Sequence, residues 1–182
     1  MEKKIVLKMV LFDEINILPL NSSNLFWKAS RREDYIKSHF TSKQWEYIVG
    51  NNFSENDFFY FLDNYPSYIR SYTLHHINGQ HLAFLYILVE PNLKNVVSVH
   101  GGGWSNPRIH YQGYIMMLEA LITRGLKVRT CCLTTNSIAV KFSRSVGFVP
   151  YKYIDKKVYM WINEKRLRNS RIYKYICKTQ LL

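Results

Sequence analysis

The chain has 182 residues, of which 47% are hydrophobic and 15% aromatic, a composition that excludes intrinsic disorder and predicts a single domain over residues 1–182. Its formal net charge of +12 would attract polyanions such as nucleic acid, an anionic membrane surface or a phosphate-rich cofactor, but it does not select one of them. Three cysteines with no C-x-x-C pair exclude a disulfide framework, and no apolar run is long enough for a membrane span, so we expect a soluble, cytoplasmic protein.

The first third of the chain predicts one strand and then a helical region. The segment Lys4–Phe12 is apolar and β-branched enough to form the strand. Capping boxes at Ser30–Glu33 and Thr41–Gln44, and a third helix start at Ser54, predict helices that end before Pro66.

A β-meander follows the helical region. Tyr68–Ile77 and His81–Glu90 read as two strands joined by Asn78-Gly79, the strongest short hairpin signal. A third strand begins at Asn95 and runs into a series of glycines.

The remaining chain alternates between helical and strand patterns. The predicted order is helix, strand, helix and two strands: Tyr111–Arg124, Lys127–Thr134, Ser137–Ser145, Phe148–Ile154 and Lys156–Ile162. Residues 163–182 form a basic tail with helical character. This order predicts an α/β domain with a mixed central sheet flanked by helices.

The glycine run after the third meander strand reads HGGGW, from His100 to Trp104. A run of this type builds the oxyanion hole of many esterases, which also need a serine in a G-x-S-x-G elbow. No glycine completes that elbow: after Gly103 and Ser105, Pro107 stands where the last glycine belongs. The esterase interpretation is therefore excluded, and the run predicts a bulge or a close approach to the backbone.

A candidate phosphate site lies just after the glycines. The segment Asn106–Gly113 reads as a loop that opens a helix, and helix N-termini attract phosphates through free N–H groups and the helix dipole. Arg108 and His110 add side-chain donors. Such turns occur in every α/β domain, so the loop alone does not identify a function.

The spacing around the second helix is more informative. Asn136, Ala139, Phe142, Gly147 and Phe148 follow the pattern N-x-x-A-x-x-[LF]-Y-x-x-x-G-F. In this pattern, and in the order of elements over residues 68–162, the chain resembles the GCN5-related N-acetyltransferase superfamily.

The upstream loop is the weaker part of the resemblance. That family's loop reads [RQ]-x-x-G-x-[GA]; Arg108 and Gly113 match its first and last positions, and Tyr111 replaces the middle glycine. The resemblance therefore predicts that the chain is a divergent member of the superfamily.

The resemblance implies a fold in which the glycine strand is bulged and splays from its parallel neighbour, leaving a gap for acetyl-CoA or another acyl-CoA. A backbone N–H near Gly103 would polarise the thioester carbonyl. The implied cofactor-binding residues lie in the glycine run, the loop and the second helix: Gly102, Gly103, Trp104, Arg108, Tyr111, Gln112, Gly113 and Asn136. No metal is implied.

The implied chemistry is direct acyl transfer to an amine, which needs a base with a pKa near neutrality. His100 is the first candidate base, Glu90 the second, and His75 or His76 the third. Ser143 occupies the position of the family's usual tyrosine, which protonates the leaving thiolate. Because a serine hydroxyl is a poor acid, the proton would come from water or Tyr111.

The acceptor and the partners are only weakly encoded. We expect a small-molecule or peptide amine, neutral or anionic rather than strongly cationic, near the aromatic residues of the early helices and the last hairpin. One alternative is a transferase of the same fold that uses aminoacyl-tRNA, for which no RNA-binding motif is present. Another is a non-catalytic CoA-binding or interaction module. An oligomer is left open.

Overall fold

The structure is a computed structural model that describes residues 17–19, 25–29, 41–49, 53–65, 68–90, 92–103 and 106–179. The predicted strand Lys4–Phe12 and the capping box at Ser30 lie outside the described residues, as does Trp104.

Within these residues the chain forms eight strands and six helices. The strands are β1 (Ile17–Pro19), β2 (Leu25–Ala29), β3 (Ile69–His76), β4 (His81–Val89), β5 (Val96–Gly103), β6 (Lys127–Leu133), β7 (Val149–Ile154) and β8 (Lys157–Ile162). The helices are α1 (Ser42–Val49), α2 (Glu55–Asn64), α3 (Pro107–Thr123), α4 (Ser137–Ser145), α5 (Glu164–Asn169) and α6 (Arg171–Thr179).

One mixed sheet, in the order β1-β2-β3-β4-β5-β6-β8-β7, connects all of these strands. Its neighbours are antiparallel except β5 and β6, which run parallel across the crossover through α3. The predicted α/β architecture is therefore confirmed. Among the described helices, none combines the length and the hydropathy that crossing a membrane requires.

The sheet separates two hydrophobic cores, because side chains of a strand alternate between its faces. Leu85 and Ile87 of β4 and Val99 of β5 belong to the larger core, together with α3. Phe84 and Tyr86 of β4 belong to the second core, which is covered by α1 and α2. His100 lies on this second face, with its ring stacked on that of Tyr86 at 5.1 Å.

The central parallel pair is splayed, as predicted. β5 and β6 pair only from Val96 opposite Lys127 to Ser98 opposite Arg129, although both strands continue beyond this point. Thr130 Oγ1 donates a 2.9 Å hydrogen bond to the Val99 carbonyl oxygen at the place where the pairing stops. Beyond it the two strands diverge around a gap.

Two local predictions are wrong. The segment Asn106–Gly113 is not a loop, since α3 already begins at Pro107. Asn106 caps this helix by accepting from the Arg108 N–H at 2.9 Å, and proline at N1 costs no hydrogen bond. The glycine strand also contains no bulge against β4, because its register is continuous from Val97 to Gly103.

Candidate active site

A cavity of about 360 Å³ occupies the gap between β5 and β6. Five elements line it: Gln44, Tyr47 and Ile48 of α1, His100–Gly103 of β5, His110 and Tyr114 of α3, Thr130–Cys132 of β6, and residues of α4 with its cap, Asn136, Ile138, Ala139, Phe142 and Ser143. The splay thus opens a cleft, the central cleft, through the centre of the sheet.

The edge of β5 that faces β6 presents polar backbone groups to this cleft. Peptide groups of a strand alternate between its two edges, and the Val99 carbonyl already points towards β6. The N–H and C=O groups of Gly101 and Gly103 therefore face the same side, beyond the last β6 residue that pairs. An extended ligand in the cleft could pair with them as an added strand would.

Contacts within the protein also explain why glycine occupies these positions. A Cβ at Gly101 would overlap the carbonyl oxygen of Phe84, so β4 itself makes the close approach there. A Cβ at Gly103 would lie 2.7 Å from Cγ of His110. Gly102 pairs with Phe84 across the ladder and lines the cleft.

The residues that the sequence assigns to the phosphate loop lie in three different environments. The Arg108 guanidinium lies outside the cleft lining, 5.8 Å from the centre of the Tyr175 ring of α6. Tyr111 stacks on Phe142 at 4.5 Å, and its hydroxyl accepts a 3.1 Å hydrogen bond from Ser145 Oγ. Gln112 is half-buried on the helix.

Gly113 lies inside α3 and not in a phosphate loop. It is buried, a Cβ there would overlap the Leu74 side chain, and its carbonyl accepts a 2.7 Å hydrogen bond from Trp27 Nε1. This glycine therefore brings α3 close to the sheet, which removes the sequence argument for placing it at a phosphate.

The α4 side of the cleft is held by a cap and an aromatic cluster. Asn136 lines the cleft, and its Oδ1 accepts from the Ala139 N–H at 3.1 Å. Phe142 contacts the rings of His110 at 4.9 Å and Tyr114 at 5.1 Å. These contacts fix α4 against α3 on the cleft's apolar wall.

Ser143 is buried on the cleft side of α4. Its Oγ lies 3.8 Å from Cys132 Sγ, and burial raises the pKa of that thiol to about 11. Neither group is an acid suited to protonating a thiolate at pH 7. Tyr111, the alternative acid, does not line the cleft.

A second cavity, of about 320 Å³, lies beside the cleft next to β7 and β8. We call it the side cavity; its lining is Glu90, Ser98, His100, Arg129, Thr130, Cys131, Tyr151, Lys152, Ile154 and Tyr159. His100, Thr130 and Cys131 line both cavities. The two cavities therefore share three lining residues, of which His100 is the one with an imidazole.

His100 is buried and neutral at physiological pH. Burial lowers its pKa to about 4, opposed by a hydrogen bond to the Cys131 backbone. The expectation of an ionisation near neutrality is therefore wrong for this residue. Glu90, the second candidate, lines the side cavity and accepts a 2.6 Å hydrogen bond from Ser98 Oγ.

The remaining candidate bases lie away from both cavities. His75 packs between Phe26 and His81, with ring centroids at 5.3 and 4.1 Å. His76 ends β3, where its Nδ1 accepts from the Asn78 N–H. Neither residue lines the central cleft or the side cavity.

Solved structures with the same architecture resemble the chain closely in fold and weakly in sequence. A protein of unassigned function from Bacillus halodurans has a TM-score of 0.66 at 9% identity, covering 86% of this chain and 91% of its own. A probable acetyltransferase of the GNAT family from Chromobacterium violaceum has a TM-score of 0.60 at 12% identity, covering 84% and 97%.

A third structure contains ligands. It is the spermidine N-acetyltransferase from Vibrio cholerae in complex with CoA and spermine, with a TM-score of 0.59 at 15% identity, covering 82% of this chain and all of its own. The chain has the GCN5-related N-acetyltransferase fold. No family model matches the sequence, and no curated protein is significantly similar to it.

The sequence did not predict most of the residues that line the cleft. Thr130 and Cys132 alternate on β6, and a period-two pattern on a strand beside the glycines could have suggested them. Gln44 and Tyr47 approach from α1, more than fifty residues before the glycine run, and no local signal connects them with it. Arg129 was not predicted as a site residue either.

Proposed function

We propose that the chain is an acyl-CoA-dependent N-acyltransferase that moves an acetyl group from acetyl-CoA directly to an amine. The observation that carries this proposal is that the central cleft and the side cavity share His100 in a GCN5-related N-acetyltransferase fold. In this proposal the central cleft is the donor cleft and the side cavity is the acceptor cavity. A direct transfer requires donor and acceptor in neighbouring spaces, and these two cavities share His100, Thr130 and Cys131 in their linings.

The donor cleft fits acyl-CoA by its backbone groups and its position. The open edge at Gly101 and Gly103 would pair with the pantetheine arm, and Gly102 leaves room for it. The N-terminus of α3 with Arg108, and the capped start of α4 at Asn136, would face the phosphate-bearing end. When bound, acyl-CoA supplies an activated acyl group as a thioester.

The protein's own groups would manage charge and protons. The backbone N–H near Gly103 would hold negative charge on the carbonyl oxygen. His100 would orient the amine as a neutral hydrogen-bond acceptor, and Glu90 would receive the proton through the acceptor cavity. With Ser143 in place of an acid, water would protonate the departing thiolate.

A strongly cationic acceptor fits this chain poorly. The similar enzyme from Vibrio cholerae is named for spermidine. Here the acceptor cavity contains Arg129 and Lys152, whose charges repel a polyamine, against the single carboxylate of Glu90. We therefore propose a small amine or a peptide N-terminus with less positive charge.

The test is a thiol-release assay with acetyl-CoA across a panel of amines, with acetylated products identified by mass spectrometry. We expect turnover of at least one amine, and a reduction of kcat/KM in His100→Gln of about 100-fold, because the amine would lose its positioning group. His76→Gln is the matched control and should retain full activity, because His76 lies outside both cavities. Equal activity of both variants would make His100 a structural residue.

A further inference from the structure

The acceptor cavity has an asymmetric arrangement of charge. Glu90 follows β4, Arg129 lies on β6, and β5 separates these strands, so the two residues start roughly 10 Å apart at two strand spacings. Lys152 lies further along, on β7. One side of the cavity is therefore acidic and the other basic.

A β-bulge builds the basic side. The pairing of β7 with β8 shifts between Pro150 and Lys152, which leaves Tyr151 as the extra residue. Neighbours on a regular strand point to opposite faces, but at a bulge two consecutive side chains can share one face. Tyr151 and Lys152 both line the acceptor cavity.

The Tyr151 ring in turn lies beside the Arg129 side chain. The Arg129 guanidinium lies 5.2 Å from the centre of the Tyr151 ring, and Tyr159 meets Tyr151 edge-on at 6.5 Å. Arg129 is half-buried, and among the described residues neither it nor Lys152 is in an ion pair. A guanidinium that lies over an aromatic ring and has no carboxylate partner among the described residues is suited to binding a planar anion.

Glu90 is engaged differently. Its Oε1 accepts a 2.6 Å hydrogen bond from Ser98 Oγ, and it shares the cavity with His100. This end of the cavity offers hydrogen-bond acceptors to an amine beside His100, which also lines the donor cleft. The planar fork of the Arg129 guanidinium can bind both oxygens of a carboxylate at once.

We propose that the acceptor is an amine that also carries a carboxylate, bound through the carboxylate by Arg129 and Lys152 with its amine towards Glu90 and His100. This inference rests on the proposed acyltransferase function and names the acceptor class for the same site. Amino acids and short peptides belong to this class, and polyamines do not.

The experiment compares matched acceptor pairs. Glycine, β-alanine, γ-aminobutyrate and diglycine are each assayed with acetyl-CoA against the corresponding carboxamide. For at least one pair we expect kcat/KM to be about 10-fold or more higher for the carboxylate, the usual effect of a charge-assisted hydrogen bond. Arg129→Gln should remove this preference by lowering the rate of the carboxylate alone, and Lys152→Gln should reduce it partly.

Three controls separate the possible failures. Arg171→Gln on α6 removes the same charge from an exposed position outside the cavity and should retain the preference. Titration of each variant with CoA, and its thermal melting, report on the donor cleft and on folding independently of the acceptor. Arg129→Lys keeps the charge but loses the planar fork, and should recover only part of the preference.

The outcomes are distinguishable. Absence of CoA binding in the unmodified protein contradicts the proposed function, and this inference falls with it. If CoA binds and amides react as well as carboxylates, or if no carboxylate-bearing amine is acetylated, the acceptor class is wrong while the donor site stands. An equal loss for both members of a pair in Arg129→Gln would also overturn it.

Discussion

Thr130 Oγ1 donates a 2.9 Å hydrogen bond to the carbonyl oxygen of Val99 at the level where β5 and β6 cease to pair. A side chain thus takes the place of the next ladder bond and satisfies a buried carbonyl that the splay has left without a backbone donor. The hydroxyl allows the strands to separate without leaving that carbonyl unsatisfied.

Replacing this hydroxyl tests its role. Thr130→Val should lower the free energy of unfolding by about 1–3 kcal/mol, because the Val99 carbonyl loses its donor in a buried place. It should also weaken CoA binding, since Thr130 lines the donor cleft. Thr130→Ser retains the hydroxyl and is the matched control. Denaturant unfolding and titration calorimetry measure both effects, and identical values for the two variants would argue against the bond's importance.

The pKa of His100 predicts how stability depends on pH. Burial lowers this pKa from the ordinary 6.5 to about 4, so below about pH 6.5 the unfolded chain binds a proton that the folded chain does not. Stability should therefore fall between about pH 6.5 and 4, by about 2 kcal/mol from His100 alone at pH 5. His75 and His110, whose pKa values burial also lowers to about 4, should add to the fall.

The measurement is chemical denaturation at pH 7 and pH 5. His100→Gln should lose less stability between the two pH values than the unmodified protein does. In the acyl-transfer assay, an ionisation that disappears in His100→Gln is expected near pH 4. Its appearance near neutrality would show that the imidazole is more exposed to water than the structure indicates.

Arg108 tests the phosphate end of the cleft. If it contributes to binding the pyrophosphate, Arg108→Gln should reduce affinity for CoA by about 10-fold and leave affinity for a pantetheine fragment unchanged. Tyr175→Leu removes the ring beside the guanidinium and should have a smaller effect of the same kind. Arg171→Gln provides the charge-matched control. Equal losses for CoA and for the fragment would place Arg108 outside the phosphate site.

The glycines should separate into two classes. Gly101→Ala should destabilise the fold, because a Cβ there overlaps the Phe84 carbonyl oxygen. Gly102→Ala and Gly102→Val should remain folded and lose CoA affinity progressively, since that residue lines the cleft. Thermal melting and calorimetry separate these effects. A normal affinity in Gly102→Val would contradict a pantetheine site at this strand.

The sequence predicted those elements best whose ends carry their own chemistry. α4 has the predicted bounds, because Asn136 caps its start and Gly147, at φ 109°, follows its end. The start of α3 was placed four residues late, because Asn106-Pro107 was interpreted as a loop although the same pair makes an N-cap followed by proline at N1.

The candidate site was predicted only where the chain is locally distinctive. The glycine run led to the cleft, but its expected bulge is absent because the approaching backbone at Gly101 belongs to β4. The position of Arg129 over the Tyr151 ring depends on a bulge in another strand, β7. The position of Arg108 depends on Tyr175 of α6, a helix near the C-terminal end of the chain. Contacts between distant segments leave no periodic signal in either segment.

The central claim is that the gap between β5 and β6 binds the acyl donor, and titration calorimetry of the unmodified protein with acetyl-CoA tests it most directly. We predict one binding site with a Kd between about 1 μM and 1 mM, the range usual for enzyme substrates. Acetyl-CoA at saturation should raise the melting temperature correspondingly. No heat of binding and no shift in melting temperature at millimolar acetyl-CoA would contradict the account.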